Sequence, residues 1–193
     1  MPDNDFGYTA WGRDWVRLAE PLRMTKPEPM LPRARSIARN GLVRIEITGA
    51  MVRANIHRGS EASVTYFEVA PLPAAAVRAI AELVPAEAVM LTDEHRTAIA
   101  EAGITVSPTL SALDCSCRAR GERCLHMLAT CYALAMRIDE NPWLALDLQG
   151  YGRILRSAGQ ADGTAEGAAE IPPPRWIPID TLDPATFFEV TAP

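Results

Sequence analysis

Hydrophobic and polar residues alternate through the stretch from residue 43 to residue 69, and a period of two is typical of β-strands. The alternation has three runs, at residues 43–47, 52–56 and 64–69. The turn-forming pairs Gly49-Ala50 and Gly59-Ser60 separate these runs. The sequence therefore predicts a small antiparallel meander of three strands.

Elsewhere, apolar residues recur every three or four positions, which is the period of an amphipathic helix. Prolines and glycines divide these stretches into short elements. Residues 104–106 are expected to form only a brief extended segment. Strands followed by helices indicate the α+β fold class. The predicted helices cover residues 8–22, 74–83, 86–91, 94–102, 125–138 and 141–148.

The first predicted helix carries two tryptophans on one face. Trp11 and Trp15 are four positions apart, and Leu18 and Leu22 continue the same stripe. Helical spacing favours a buried docking face over a role in stacking on nucleic acid bases. This helix is therefore expected to pack against the rest of the fold.

Three thiols and an imidazole lie within a dozen residues in the middle of the chain. Cys115 and Cys117 form one close pair, and Cys124 and His126 form the second, with six residues between the pairs. Cys3His is a standard ligand set for structural zinc. The fourth cysteine, Cys131, falls within an apolar helical run and is expected to be a small buried hydrophobe.

Other chemistry for these cysteines is less favoured. A Cys115–Cys117 disulfide would close a short, strained ring. A Cys-His catalytic pair is chemically feasible beside the neighbouring arginines, but three cysteines exceed what a nucleophile needs. Zinc with four protein ligands has no open position for water. The site is therefore predicted to be structural, and the protein is predicted to be neither an enzyme nor a binder of a small-molecule substrate.

The pattern Cys-x-Cys-x6-Cys-x-His, followed directly by an apolar helix, resembles the SWIM zinc finger of bacterial proteins. The similarity extends more loosely over most of the chain, although Leu125 stands where many members have a basic residue. The resemblance implies a module that binds DNA or another protein, and a Swi/Snf-type helicase-like ATPase as a partner. Outside the ligand segment, the resemblance to this family rests on residues 11–13, 33–41, 103–108, 132–135, 139–143 and 183–188.

The composition is that of a globular protein, with 193 residues of which 48% are hydrophobic. No run of about 18 apolar residues predicts a membrane span. The polar, acidic N-terminus argues against a signal peptide. A cytoplasmic protein is therefore expected.

Basic residues are concentrated in the first third of the chain, although the formal net charge is -5. Residues 1–60 carry 10 basic and 6 acidic side chains, whereas residues 61–113 carry 2 and 7. Clustered arginines, rather than the mean charge, determine binding to phosphates. The alternative interpretation of these arginines is a solvated protein face that binds no nucleic acid. The candidate nucleic-acid contacts are Arg33, Arg35, Arg39, Arg44, Arg53, Arg118, Arg120 and Arg123.

The C-terminal part differs in composition from the rest. Residues 157–170 are rich in glycine, alanine and acidic residues, which predicts a disordered acidic linker. A proline-rich and aromatic tail follows, with Trp176, Phe187 and Phe188 as candidate partner contacts. The predicted organisation is an N-terminal helix and connector (1–32), an α+β scaffold (33–113), the SWIM-type zinc finger with its following helices (114–150), and the linker and docking tail (151–193).

Two functions are consistent with these features. The first is a zinc adaptor that binds nucleic acid, DNA in particular, and works with a helicase-like ATPase in DNA maintenance. The second is a protein-binding scaffold that docks through the aromatic tail without contacting nucleic acid. Salt-sensitive nucleic-acid binding distinguishes them, since phosphate contacts weaken steeply with salt.

Overall fold

The computed structural model describes residues 6–22, 28–85, 88–117 and 123–161 of the protein. Within these ranges, helices and strands follow one another in an α+β arrangement. The elements are α1 (Ala10–Ala19), α2 (Leu31–Arg39), β1 (Val43–Thr48), β2 (Met51–Arg58), β3 (Glu61–Val69), α3 (Ala74–Leu83), α4 (Asp93–Glu101), β4 (Leu110–Cys115), α5 (Leu125–Glu140), α6 (Trp143–Leu148) and α7 (Tyr151–Ala161).

The sheet has four antiparallel strands in the order β1-β2-β3-β4. The predicted meander is confirmed for the first three strands, but the predicted number of strands is wrong. β4 pairs with β3 from Leu110 opposite Val69 to Cys115 opposite Thr65. Its sequence is poor in β-branched residues, so pairing with β3, and not local propensity, specifies it as an edge strand. The extended segment predicted at residues 104–106 is not a strand.

Helix α5 covers the inner face of the sheet. Ile45, Val52 and Phe67 are buried on that face. The Thr65 hydroxyl on β3 lies 2.8 Å from the Thr130 hydroxyl on α5, and both side chains are fully buried. α1 and α2 pack against other faces of α5. The helix is apolar almost all round because it is enclosed on several sides.

The tryptophan face of α1 is buried, as the sequence predicts. Trp11 and Trp15 are each 1% exposed, and α1 packs against α5. The helix is shorter than predicted, because it ends at Ala19 with Glu20 as its C-cap. Leu22 therefore lies beyond the helix and is 82% exposed, so its predicted place in the buried stripe is wrong.

Two other local predictions also need correction. Of the helix predicted at residues 86–91, residues 88–91 are not helical, and residues 86–87 lie outside the described residues. The predicted linker overlaps α7, whose Tyr151 is buried and whose Ile154 and Leu155 pack on the core. These contacts outweigh the flexible composition of residues 157–161, and the rest of the predicted linker lies outside the described residues.

The described residues up to Gln160 belong to one compact unit. The domain boundaries predicted at residues 32, 113 and 150 stay predictions. Among the described residues, no helix is long and apolar enough to cross a membrane.

Candidate metal centre

The first half of the Cys/His cluster lies at the end of strand β4. Cys115 is the last residue of the strand, and Cys117 follows it by two positions. Between them, the Ser116 amide donates to the Val64 carbonyl at 2.9 Å, and the Val64 amide donates to the Ser116 hydroxyl at 2.9 Å. These two bonds extend the pairing with β3 beyond the strand itself. They hold both thiols beside the sheet.

The second half lies at the start of α5. Cys124 is the N-cap, and its sulfur accepts a weak hydrogen bond from the Met127 amide at 3.4 Å. His126 is in the first turn of the helix. The Thr130 hydroxyl donates to the His126 carbonyl at 3.0 Å, and Thr130 also bonds Thr65 on β3. Strand β3 therefore contacts both halves of the cluster, through Val64 on one side and Thr65 on the other.

The four ligand atoms are close enough to share one ion. The sulfur atoms of Cys115, Cys117 and Cys124 and a ring nitrogen of His126 all lie within 4.8 Å of one another. Cys115 Sγ is 3.9 Å from His126 Nδ1. In a tetrahedral site with metal–sulfur bonds of about 2.3 Å, two sulfurs are separated by about 3.8 Å. The cluster could therefore bind a metal ion after a small contraction.

Burial disfavours the thiolate state of two of these cysteines, Cys115 and Cys124. Burial raises the pKa of Cys115 to about 12, and burial also raises the pKa of Cys124. Both thiols would therefore stay protonated at neutral pH on their own. A bound metal ion reverses this, because a coordinating thiol is deprotonated outright.

Cys131 does not belong to the cluster. Its side chain is 5% exposed and lies in the hydrophobic core, and burial raises its pKa to about 12. Such a thiol is inert at neutral pH. The prediction that Cys131 is a core residue is confirmed.

Arg35, a predicted nucleic-acid contact, is part of an internal network. Its Nε donates to the Tyr132 hydroxyl at 3.1 Å, and its Nη2 lies 2.5 Å from the Glu20 carboxylate. The Tyr132 hydroxyl donates to the same carboxylate oxygen. This network joins α2 and α5 to the C-cap of α1. Arg35 therefore has a structural role.

Arg123, beside the ligand Cys124, is also engaged within the protein. Its Nη2 donates to the carbonyls of Leu18 at 2.8 Å and Ala19 at 2.6 Å. These carbonyls belong to the last turn of α1, where a cation is favourable. Arg123 therefore connects the start of the second ligand pair to α1.

The other described arginines of the candidate set lie on two different layers. Arg33 is exposed on α2, and the guanidinium of Arg39 lies 5.9 Å from the centre of the Phe6 ring. Arg44 and Arg53 alternate with the buried residues of β1 and β2, so they point to the outer face of the sheet. α2 packs on α5, which covers the inner face. The arginines of α2 and those of the sheet therefore do not share one face.

The remaining predicted contacts lie outside the described residues: Arg118, Arg120, Trp176, Phe187 and Phe188.

Sequence reasoning did not find Ser116 and Thr130, which position the two halves of the cluster. Ser116 lies between two predicted ligands, and a hydroxyl at that position was a sequence signal for a residue that positions them. Thr130 gives no signal, because its partner Thr65 is distant in the sequence.

In comparisons with protein-family models, with curated proteins and with solved structures, nothing matches this chain. The fold and the cluster are therefore interpreted from their own geometry.

Proposed function

We propose that the protein is a non-enzymatic zinc adaptor, with a SWIM-type site formed by Cys115, Cys117, Cys124 and His126. The observation that carries the proposal is the gathering of four ligand atoms within 4.8 Å. Three thiolates and one imidazole suit Zn²⁺, and four protein ligands leave no position for a reacting water. Zinc in this site stabilises structure.

The zinc ion would connect two elements that the chain connects only through a loop. Cys115 closes the edge strand β4, and Cys124 opens α5. The ion would thus fix the end of the sheet to its covering helix. Since thiolates bind the metal only in the folded arrangement, metal binding contributes to folding.

Nucleic acid, DNA in particular, is the ligand class that we assign to the adaptor. Arg33 is exposed on α2, and Arg44 is exposed on the separate outer face of the sheet. On that outer face, Arg53 lies 3.8 Å from Glu46, and both side chains are exposed to solvent. Surface pairs of this kind are weak and are readily exchanged for phosphate contacts. The resemblance to SWIM modules supports the same assignment and suggests a helicase-like ATPase as the protein partner.

The test has two parts on the full chain. Protein purified without added zinc is expected to contain one zinc ion per chain, and each substitution Cys115→Ala, Cys117→Ala or Cys124→Ala is expected to abolish it. Zinc content that survives all three substitutions overturns the site.

The second part measures binding to a DNA duplex at two salt concentrations. Binding that weakens steeply with salt, and that Arg33→Glu with Arg39→Glu reduces, supports the adaptor. Zinc-loaded protein that does not bind DNA at low salt overturns the nucleic-acid assignment. The alternative, a scaffold that docks on protein, is then tested by copurification with and without Trp176, Phe187 and Phe188.

A further inference from the structure

A cleft of about 410 Å³ lies between α1 and α4, away from the cysteine cluster. Its walls are fixed by contacts between the two helices. The Ala10 amide donates to Asp93 Oδ1 at 2.8 Å, and Trp11 Nε1 donates to the Thr92 carbonyl at 2.9 Å. The cleft is open to solvent, and its volume is large enough for a small ligand.

Three arginines line this cleft, and one of them, Arg96, forms an ion pair with another described residue. Arg96 Nε donates to Asp14 Oδ2 at 2.8 Å, and both side chains are largely buried at 16% and 15% exposure. Arg13 and Arg17 have no ion pair among the described residues. Within the described residues, Arg17 Nε is buried and has no hydrogen-bond acceptor.

Arg13 and Arg17 place two positive charges next to each other on α1, and Arg13 is exposed. They lie four positions apart on α1, where like charges repel each other. Arg17 is in the last turn, where the helix dipole favours a cation. Arg13 is near the positive N-terminal end, so the dipole does not account for it.

We propose that this cleft binds a phosphate-type oxyanion between Arg13 and Arg17. The oxyanion pairs with the guanidinium groups of Arg13 and Arg17 where they line the cleft, because guanidinium groups bind phosphate oxygens through paired, charge-assisted hydrogen bonds. The Arg96–Asp14 pair forms a fixed wall of the cleft. Glu101, exposed at the rim, weakens the attraction because its carboxylate repels an anion.

The first experiment titrates zinc-loaded full-length protein with inorganic phosphate by calorimetry, with chloride at matched ionic strength as the control. Saturable binding is expected with phosphate only. Arg13→Gln and Arg17→Gln are each expected to weaken it about tenfold, since each removes charge-assisted bonds. Arg78→Gln, a matched substitution at an exposed arginine of α3 that does not line the cleft, is expected to leave phosphate binding unchanged.

Glu101→Gln removes the repelling carboxylate and is expected to strengthen phosphate binding roughly two- to fivefold. A misfolded variant would instead bind phosphate more weakly. Absence of saturable phosphate binding overturns the proposal. Equal binding by the parent, Arg13→Gln and Arg17→Gln proteins also overturns it.

A short DNA oligonucleotide is the second probe and distinguishes the source of the phosphate. Competition between oligonucleotide and inorganic phosphate identifies the nucleic-acid backbone, whereas phosphate binding without competition identifies a free phosphate or a phosphorylated small molecule. The proposed DNA contacts Arg33, Arg44 and Arg53 do not line the cleft. Loss of DNA binding in Arg33→Glu with phosphate binding intact would separate the two sites.

Discussion

Helix α5 holds polar groups against the rest of the protein at both of its ends, and the two ends satisfy those groups in different ways. At the C-terminal end, Asp139 is 4% exposed. Its carboxylate accepts hydrogen bonds from the Gly7 amide at 2.7 Å, the Thr9 amide at 2.9 Å and the Thr9 hydroxyl at 2.7 Å. Gly12 allows this approach, since a Cβ there would overlap the carboxylate.

At the N-terminal end, the cysteine cluster gathers three thiols and an imidazole. Thiols are weak hydrogen-bond donors and acceptors, so such a group gains little from internal hydrogen bonding. It gains much from a metal ion, which binds all four ligands at once. The comparison indicates that the chain itself satisfies the polar groups at one end of α5, whereas the group at the other end could bind a metal ion. Substitutions at the two ends should therefore have different effects on zinc binding and on the free energy of unfolding.

The largest effect is expected at the metal end. Cys124→Ala should abolish zinc binding and lower the free energy of unfolding by about 4 kcal/mol or more, the contribution of a ligand present at a thousand times its Kd. Zinc analysis and urea unfolding measure both quantities. Cys131→Ala is the control, because this core cysteine is not a ligand. Loss of zinc in Cys131→Ala would contradict the assignment of the ligand set.

A smaller effect is expected at the Asp139 end. Asp139→Asn replaces an acceptor-only carboxylate by an amide whose NH2 group cannot accept from the Gly7 or Thr9 donors. The free energy of unfolding should fall by about 3 kcal/mol, while zinc affinity stays unchanged. Glu140→Gln, at the exposed neighbouring position, should have little effect. A zinc affinity that falls together with stability in Asp139→Asn would show that the two ends are coupled.

The smallest effect concerns Arg123, which connects the metal end to α1. Arg123→Gln removes hydrogen bonds to the Leu18 and Ala19 carbonyls, so unfolding free energy should fall by about 1–2 kcal/mol. Arg33→Gln, at an exposed arginine, should change it by less than about 0.5 kcal/mol. If Arg123→Gln instead leaves stability intact and weakens DNA binding, Arg123 is a nucleic-acid contact after all.

Much of the fold could be predicted from local patterns. β1, β2 and β3 are marked by their own alternation, and α1 is marked by Trp11 and Trp15. β4 could not be predicted in this way, because its pairing partner β3 lies about 45 residues earlier in the chain. The same distinction applies to the cysteine cluster, whose ligands are marked by spacing but whose supports, Ser116 and Thr130, bond to β3.

The sequence by itself determined which four side chains gather at the cysteine cluster, since all lie within a dozen residues and their spacing is local. Only the tertiary structure decided which arginines are available to a ligand. Arg35 and Arg123 are occupied by groups on other elements, whereas Arg13 and Arg17 line a cleft and form no ion pair within the part of the chain that the structure describes. The physical reason is that a charged side chain takes its role from the partners within a few ångströms, and folding brings those partners from distant parts of the chain.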